Sequence, residues 1–344
     1  MYDLFNKISN HVFVIAEAGV NHNNKLDLAI KMVDKAKSAG ADAIKFQTFI
    51  TDEIQLKTSQ KPNYQSKIKK KSYYEIIKSL EPIFSDQIKI SKYCKKKKII
   101  FLSTPYDIPS VDFLYKLQVP AFKISSSDLT NHILLRYVAK KRKPIILSTG
   151  LSNIDEVTES INLLKKYHMK KKIILLHTNS DYPTKSEDIN LKVLSEYIEK
   201  FHIPVGFSDH SQNEYASLGA VALGACVLEK HFTLDRSLLG PDQSSSLEPD
   251  ELKDWIKNIR EMEKILGRKK KIITSSEKKN LSMKKILVIK NGNSGEIIKP
   301  QMITAMRGTK NGIIPTERNI NKIIGKKLTK SISRPMQFSW SLIR

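Results

Sequence analysis

Residues 205–232 read VGFSDHSQNEYASLGAVALGACVLEKHF. Two short apolar runs, Val205–Ser208 and Cys226–Lys230, each lead into side chains that can do chemistry. Ser208, Asp209 and His210 close the first; Glu229 and His231 close the second. Apolar runs of 4–8 residues suit strands buried on both faces. The apolar stretch Ala216–Leu228 has 13 residues and two glycines, too short to cross a bilayer. The stretch therefore reads as strand, connection, strand, with two histidines at neighbouring strand ends.

The same pattern repeats outward. Val12–Glu17, Ala43–Gln47, Ile99–Ser103, Ala121–Ile124, Ile145–Thr149 and Ile173–His177 are six further strand candidates. Segments of helical period lie between most of them. Leu28, Met32, Val33 and Ala36 form one apolar face; Val157, Ile161, Leu163 and Leu164 form another. Gly40 is a helix stop, and Ser152 is a candidate N-cap ahead of Ile154 and Glu156. Strands alternating with helices predict an α/β fold, a (β/α)8 TIM barrel, with a doubly wound open sheet as competitor. Polar strand ends favour the barrel: Glu17; Lys45 and Gln47; Ser103 and Thr104; Lys123 and Ser126; Ser148 and Thr149; His177 and Thr178. A barrel gathers these ends at one mouth, whereas an open sheet spreads them along an edge.

The pattern changes after residue 266. We expect a barrel over 1–266, a charged linker over 267–283 and a small second domain over 284–344, near the lower size limit for folding alone. Ile286–Ile289 is a strand candidate there, Asn291–Gly295 a turn, and Gly325–Leu328 a short element. Met306-Arg307-Gly308 opens a glycine-bearing loop.

The 344 residues include 40% hydrophobic side chains, ample for a core. Two cysteines, Cys94 and Cys226, cannot make a disulfide framework and fit a reducing compartment. Asp3 and Glu17 interrupt any signal-peptide pattern, so a cytoplasmic protein without membrane association is expected. The net charge of +24 invites a nucleic-acid reading. However, nine of the 59 basic residues are Arg, leaving 50 Lys, and nucleic-acid binders lean on the Arg fork. The lysines cluster in runs such as Lys67, Lys69–Lys71, Lys95–Lys98 and Lys170–Lys172, mostly between an expected helix and the next strand. They read as solvated surface.

Three groupings carry chemistry. His210 and His231 can share a divalent cation, although single histidines are more often structural. Glu17 ends an apolar strand, so it needs a partner or a ligand, since burying it alone costs on the order of several kcal/mol. It either pairs with a strand lysine or serves as an acid/base carboxylate. Lys45 and Lys123, with Thr104, Ser126 and Ser148, suit a phosphate or carboxylate cradle, although any one hydroxyl could be a helix cap.

In order along the chain, Ile15-Ala-Glu-Ala-Gly-Val-Asn-His-Asn23, Ile44-Lys-Phe-Gln-Thr-Phe49, Phe101-Leu-Ser-Thr-Pro105, Phe122-Lys-Ile-Ser-Ser-Ser-Asp128, Leu147-Ser-Thr-Gly150, Gly206-Phe-Ser-Asp-His210, Leu228-Glu-Lys-His-Phe-Thr233 and Gly240-Pro-Asp242 resemble the sialic acid synthases. The resemblance covers nearly the whole chain, including a C-terminal antifreeze-like (SAF) domain. N-acetylneuraminate synthases are the family implied, with N,N'-diacetyllegionaminate synthases as near relatives. The resemblance implies condensation of phosphoenolpyruvate with an N-acetylmannosamine-type sugar to a nine-carbon 2-keto acid and phosphate. It implies a divalent metal, typically Mn²⁺, on His210 and His231. Lys45, Thr104, Lys123, Ser126, Ser148, Ser180 and Ser208 match the phosphoenolpyruvate cradle, and Glu17 and Glu229 match the acid/base carboxylates. Gln47, Tyr182 and Asp242 match sugar-side positions. Arg307 matches an arginine that reaches the partner subunit's barrel, which implies a domain-swapped homodimer.

Two positions depart from the family pattern. Ser126-Ser127-Asp128 stands where Ser-Gly-Glu is expected, so Asp128 keeps a catalytic carboxylate with shorter reach. Ser180 stands where the family carries Asn or Thr. The alternatives are a legionaminate synthase taking 2,4-diacetamido-2,4,6-trideoxymannose, a Schiff-base aldolase on Lys45 or Lys123, and a basic nucleic-acid-binding scaffold. Sugar specificity is expected in the long loop Thr51–Tyr74.

Overall fold

A computed structural model describes residues 8, 10–61, 72–167 and 172–344. Two compact units divide the chain, Met1–Gly267 and Arg268–Arg344. The first is built on eight parallel strands: β1 (Phe13–Gly19), β2 (Ala43–Thr48), β3 (Ile100–Pro105), β4 (Phe122–Ile124), β5 (Ile145–Ser148), β6 (Ile173–His177), β7 (Val205–Asp209) and β8 (Val227–His231). Their order is β3-β2-β1-β8-β7-β6-β5-β4, and the end strands β3 and β4 also lie beside each other. The ring is thus a near-closed barrel, and each expected strand sits within two residues of an observed one.

Helices follow the strands: α1 (Leu26–Ala39), α2 (Phe84–Lys97), α3 (Ile108–Lys116), α4 (His132–Lys140), α5 (Ile154–Lys166), α6 (Val193–Phe201), α7 (Tyr215–Ala222) and α8 (Pro249–Leu266). Gly40 ends α1 at φ 94°, a left-handed cap. Asn153, not Ser152, caps α5, because its side chain accepts from the backbone N–H groups of Asp155 and Glu156. Glu156 closes the capping box. Ser152 Oγ instead lies 3.5 Å from the Gly150 carbonyl. One lysine run lies between a helix and the next strand, as expected: Lys95–Lys97 end α2 and Lys98 caps it, just before β3. Lys67 and Lys69–Lys71, part of the expected specificity loop, and Lys170 and Lys171 lie outside the described residues.

Strand side chains alternate, and the alternation builds the site. Phe13, Ile15, Ala43, Ile100, Leu102, Ala121, Ile146, Ile174, Leu176 and Val227 fill the barrel interior as one buried cluster. Continuing the same parity toward the strand C-termini brings Glu17, Lys45, Thr104, Lys123, Ser148, Ser208 and Glu229 onto the inner face. The opposite parity packs on the helices: Val14, Ala16, Ile44, Phe46, Phe101 and Leu147 belong to the outer core. Four polar strand ends expected at the mouth therefore serve structure instead. Ser103 Oγ bonds Thr48 Oγ1 at 2.6 Å, and Thr149 accepts from Tyr197 Oη at 3.1 Å. His177 Nε2 bonds the Ile189 carbonyl at 2.6 Å, and Asp209 pairs with Lys230.

The second unit carries an antiparallel sheet of β9 (Lys285–Ile289), β10 (Ile303–Arg307) and β11 (Met336–Gln337), ordered β10-β9-β11. Leu287, Ile289, Ile298, Met302, Ile323, Leu328 and Phe338 form its core. Arg307 ends β10 and is exposed, so the glycine-bearing loop begins after it. Gly325–Leu328 contributes only isolated bridges to Ile297 and Ile343. Among the described residues, no helix is long and apolar enough to cross a membrane.

Candidate active site

A cavity of about 950 Å³ opens at the C-terminal mouth of the barrel. Every barrel residue expected to act lines it: Glu17 from β1, Lys45 and Gln47 from β2, Thr104 from β3, Lys123 from β4, Ser148 from β5, Ser208 from β7, Glu229 and His231 from β8. Loop residues Ser126, Asp128, Ser180, Tyr182, His210 and Asp242 complete it. Arg307 belongs to the second unit.

The floor is a chain of alternating charges. Lys45 Nζ lies 2.7 Å from Glu17 Oε2 and 3.7 Å from Glu229 Oε2. Lys123 Nζ lies 3.8 Å from Glu229 Oε1. All four side chains are buried. Burial pushes the Glu17 carboxyl up, and the neighbouring Glu229 adds to this, against the pull of Lys45. Glu229 behaves oppositely: burial alone would raise it, but Lys123, Lys45 and the Ser208 hydroxyl outweigh burial and hold it down. Burial lowers Lys123, whereas for Lys45 the two carboxylates overcome burial and keep the ammonium charged. The two acids are thus set apart, one inclined to hold a proton and one held ionised.

Hydroxyls surround the lysines. Lys45 Nζ donates to Thr104 Oγ1 at 3.1 Å, and Lys123 Nζ donates to Ser148 Oγ at 2.6 Å. Ser208 Oγ donates to Glu229 Oε1 at 3.0 Å. Gly150 donates its N–H to Ser126 Oγ at 3.0 Å. A Cβ on Gly150 would fall 2.4 Å from Ser180 Oγ and 2.9 Å from Ser126 Oγ, so the missing side chain is what lets these hydroxyls converge. Gly19, at φ 50°, likewise leaves room beside Glu17 and Gln47.

His210 and His231 face each other with ring centroids 5.4 Å apart. Burial lowers His210 to about 4 and holds His231 well below its ordinary value, so both are neutral near pH 7. The His210 Nδ1 atom bonds the Asn179 carbonyl at 2.6 Å. That contact requires Nδ1 to carry the hydrogen and leaves Nε2 with its lone pair. His231 Nδ1 is buried with no hydrogen-bond partner among the described residues. Tyr182 stacks on His210 at 4.2 Å and meets His231 edge-on at 5.5 Å. Two neutral imidazoles, one holding an orphaned buried nitrogen, fit a divalent cation. Among the described residues no group of three or more His, Cys, Asp or Glu is placed to hold an ion, so a cation here would keep positions open for water and substrate oxygens.

Asp128 is held by neighbours: Ser125 Oγ donates to Oδ2 at 2.6 Å and Asn131 Nδ2 to Oδ1 at 3.0 Å. Burial raises its pKa. Asp242 is raised to about 6 by burial, opposed by Lys45. Tyr106, Tyr73 and Asn131 also line the cavity and escaped the sequence reading. Tyr106 follows Thr104-Pro105 directly, and that placement just past a strand end was the available signal. The cavity's far side is apolar: Val20, Phe49, Ile54, Ile77 and Leu80 line it and belong to one cluster.

The NeuB family matches residues 32–271. An N,N'-diacetyllegionaminic acid synthase of Legionella pneumophila is 38% identical over 343 residues, covering 96% of this chain and 94% of that protein. A protein of the same name from Campylobacter jejuni is 40% identical over 323 residues, covering 92% and 96%. Among solved structures, the N-acetylneuraminic acid synthetase of Leptospira borgpetersenii, in complex with citrate, superposes with TM-score 0.69 at 35% identity, covering 79% of this chain and 90% of that one. With its site motifs gathered in order around one barrel mouth, the chain belongs to the NeuB family.

Proposed function

We propose that this chain joins phosphoenolpyruvate to the open-chain aldehyde of an N-acetylmannosamine-type sugar, giving a sialic-acid-type 2-keto acid and phosphate. One observation carries the reading: a single cavity holds two ammonium groups ringed by hydroxyls, two carboxyls of opposite proton affinity and a neutral histidine pair.

Lys45 and Lys123 supply charge for the phosphate and carboxylate of phosphoenolpyruvate, and Thr104, Ser126, Ser148, Ser180 and Ser208 supply directional donors. Gln47, Tyr182 and Asp242 hold the sugar, with Asp128 beside them. C3 of phosphoenolpyruvate bonds to the aldehyde carbon, whose oxygen takes a proton. Water adds at C2, the C2–O bond breaks, and phosphate leaves a ketone behind. Glu17 is the carboxyl that holds a proton to give, and Glu229 is the one that stays ionised as the available carboxylate. His210 and His231 would hold a divalent cation, typically Mn²⁺, which when bound polarises the sugar carbonyl as a Lewis acid. The free thiols Cys94 and Cys226 fit a reducing, cytoplasmic setting.

The second unit is read as the antifreeze-like domain, with Arg307 reaching the sugar site of a partner subunit in a domain-swapped homodimer. Arg307→Ala is then expected to raise KM for the sugar far more than for phosphoenolpyruvate. Mixing Arg307→Ala subunits with barrel-inactive ones should restore activity; verified heterodimers that stay inactive refute the exchange.

A second reading of the acceptor is favoured by the apolar far wall of Val20, Phe49, Ile54, Ile77 and Leu80. Such a wall suits a deoxy methyl group better than a hydroxyl, as in 2,4-diacetamido-2,4,6-trideoxymannose. Two relatives named as legionaminic acid synthases point the same way. Phosphate release from phosphoenolpyruvate, measured side by side with each sugar, tests both. Release with neither sugar sinks the synthase reading. Borohydride trapping of a keto acid on Lys45 or Lys123 would replace it with a Schiff-base aldolase.

A further inference from the structure

The residue before each cavity histidine points the other way. Asp209 precedes His210 and Lys230 precedes His231, and the two lie opposite each other in the β7–β8 ladder. By parity, the histidines face the cavity and this pair faces the helical layer. Lys230 Nζ lies 2.8 Å from Asp209 Oδ2, with side chains 3% and 0% exposed. The same ammonium donates to the Ser211 carbonyl at 2.8 Å. Lys230 thereby grips the chain on both sides of His210. Asp209 Oδ1 accepts from the Ser211 N–H at 2.8 Å and from the Ser211 hydroxyl at 2.7 Å. Ser217 Oγ, on α7, donates to Asp209 Oδ2 at 2.6 Å. Both carboxylate oxygens are therefore occupied, and no ligand atom is needed to complete them.

This is a closed lock behind an open site. The Asp209–Lys230 contact joins two strands at the one level where each carries a histidine, and Ser217 ties the lock to a helix. Loss of the pair would free the 209–211 turn that carries His210, while leaving Lys45, Lys123 and their hydroxyls on β2, β3, β4 and β5 untouched. We propose that Asp209 and Lys230 are positioning residues whose role is to hold His210 and His231 at the spacing a divalent cation requires. The proposal rests on the synthase reading only in taking the histidine pair as a metal site. Outer partners that orient ligands characteristically set metal affinity by about 10–100-fold.

The test is Mn²⁺ binding to chelator-stripped full-length protein by titration calorimetry, without turnover, beside phosphoenolpyruvate binding to the same metal-free samples. Lys230→Met is expected to weaken Mn²⁺ by about 10–100-fold while phosphoenolpyruvate binding moves less than about twofold. Removing one partner of a buried pair strands the other charge, so the double variant Asp209→Leu/Lys230→Met keeps a folded comparison. It should show the same Mn²⁺ loss, and Ser217→Ala a smaller one, about threefold. Folded Lys230→Met or double variant with wild-type Mn²⁺ affinity overturns the positioning role. Equal loss of Mn²⁺ and phosphoenolpyruvate binding overturns it too, since that is what general loosening would give. Wild-type protein that binds no Mn²⁺ overturns the metal reading itself, a result distinct from either.

Discussion

Two buried lysine–carboxylate assemblies lie a strand's thickness apart in this barrel, and they differ in what can reach them. On the outer face, Asp209 accepts hydrogen bonds on both oxygens and Lys230 spends its ammonium on Asp209 and Ser211. On the inner face, Lys45 is shared between Glu17 and Glu229 at 2.7 and 3.7 Å, and Lys123 reaches Glu229 at 3.8 Å, all on the wall of an open cavity. A buried ion pair by itself says little about function or stability. The informative part is access, because the inner charges line a cavity that a substrate can enter whereas the outer pair is closed off.

Breaking each assembly should separate chemistry from stability. The largest effect is expected inside: Lys45→Met should lower kcat/KM by about 10³-fold, in line with removal of a charged cradle group. The variant should stay folded, because Glu17, already inclined to hold a proton, can neutralise itself. A variant within tenfold of wild type removes Lys45 from the machinery. Outside, Lys230→Met should cost about 3–5 kcal/mol in denaturant unfolding, whereas the Asp209→Leu/Lys230→Met pair should cost much less. Equal costs for the two would mean that the pair is not what stabilises the lock.

Asp242 sharpens the contrast through pH. Burial holds its folded pKa at about 6, above the ordinary aspartate value of 3.8. The associated stability is fully present below the unfolded value and is lost as pH rises through the folded one. Asp242→Asn cannot lose a proton, so its stability advantage over the natural chain should grow from pH 4 to pH 7, toward about 2–3 kcal/mol. Thermal melts of both proteins across that range check the sign; a constant difference would show that Asp242 is not burdened by its burial. The smallest effect is expected at Gly150, where Gly150→Ala should raise KM for phosphoenolpyruvate about tenfold by crowding Ser126 and Ser180. An unchanged KM would place the phosphate elsewhere.

Much of this was legible in order along the chain. Strand candidates such as Ile173–His177 coincide with observed strands because β-branched runs bounded by turns have few other folded uses. The polar strand ends were legible too, but not which way each points. Ser103, Thr149, His177 and Asp209 looked as suited to chemistry as Thr104, Ser148 and His210, and they face the helices. The α5 cap slipped by one residue because serine and asparagine cap about equally well, and only backbone geometry separates Ser152 from Asn153. The Asn179 carbonyl, which steadies His210, carried no pattern at all, and Asn131 carried only that of a helix cap.

The amino-acid sequence alone determined the repeating strand–helix architecture, the family and the residue types at the strand ends, since those follow from periodicity and local motifs. Only the tertiary structure decided how those residues differ from one another. Pairing of β2, β1 and β8, with ring closure bringing β4 round to face them, puts Glu17, Lys45, Lys123 and Glu229 close enough to interact. Two glutamates of equal intrinsic acidity then separate, because proton affinity in a buried site is set by which charges lie within a few ångströms.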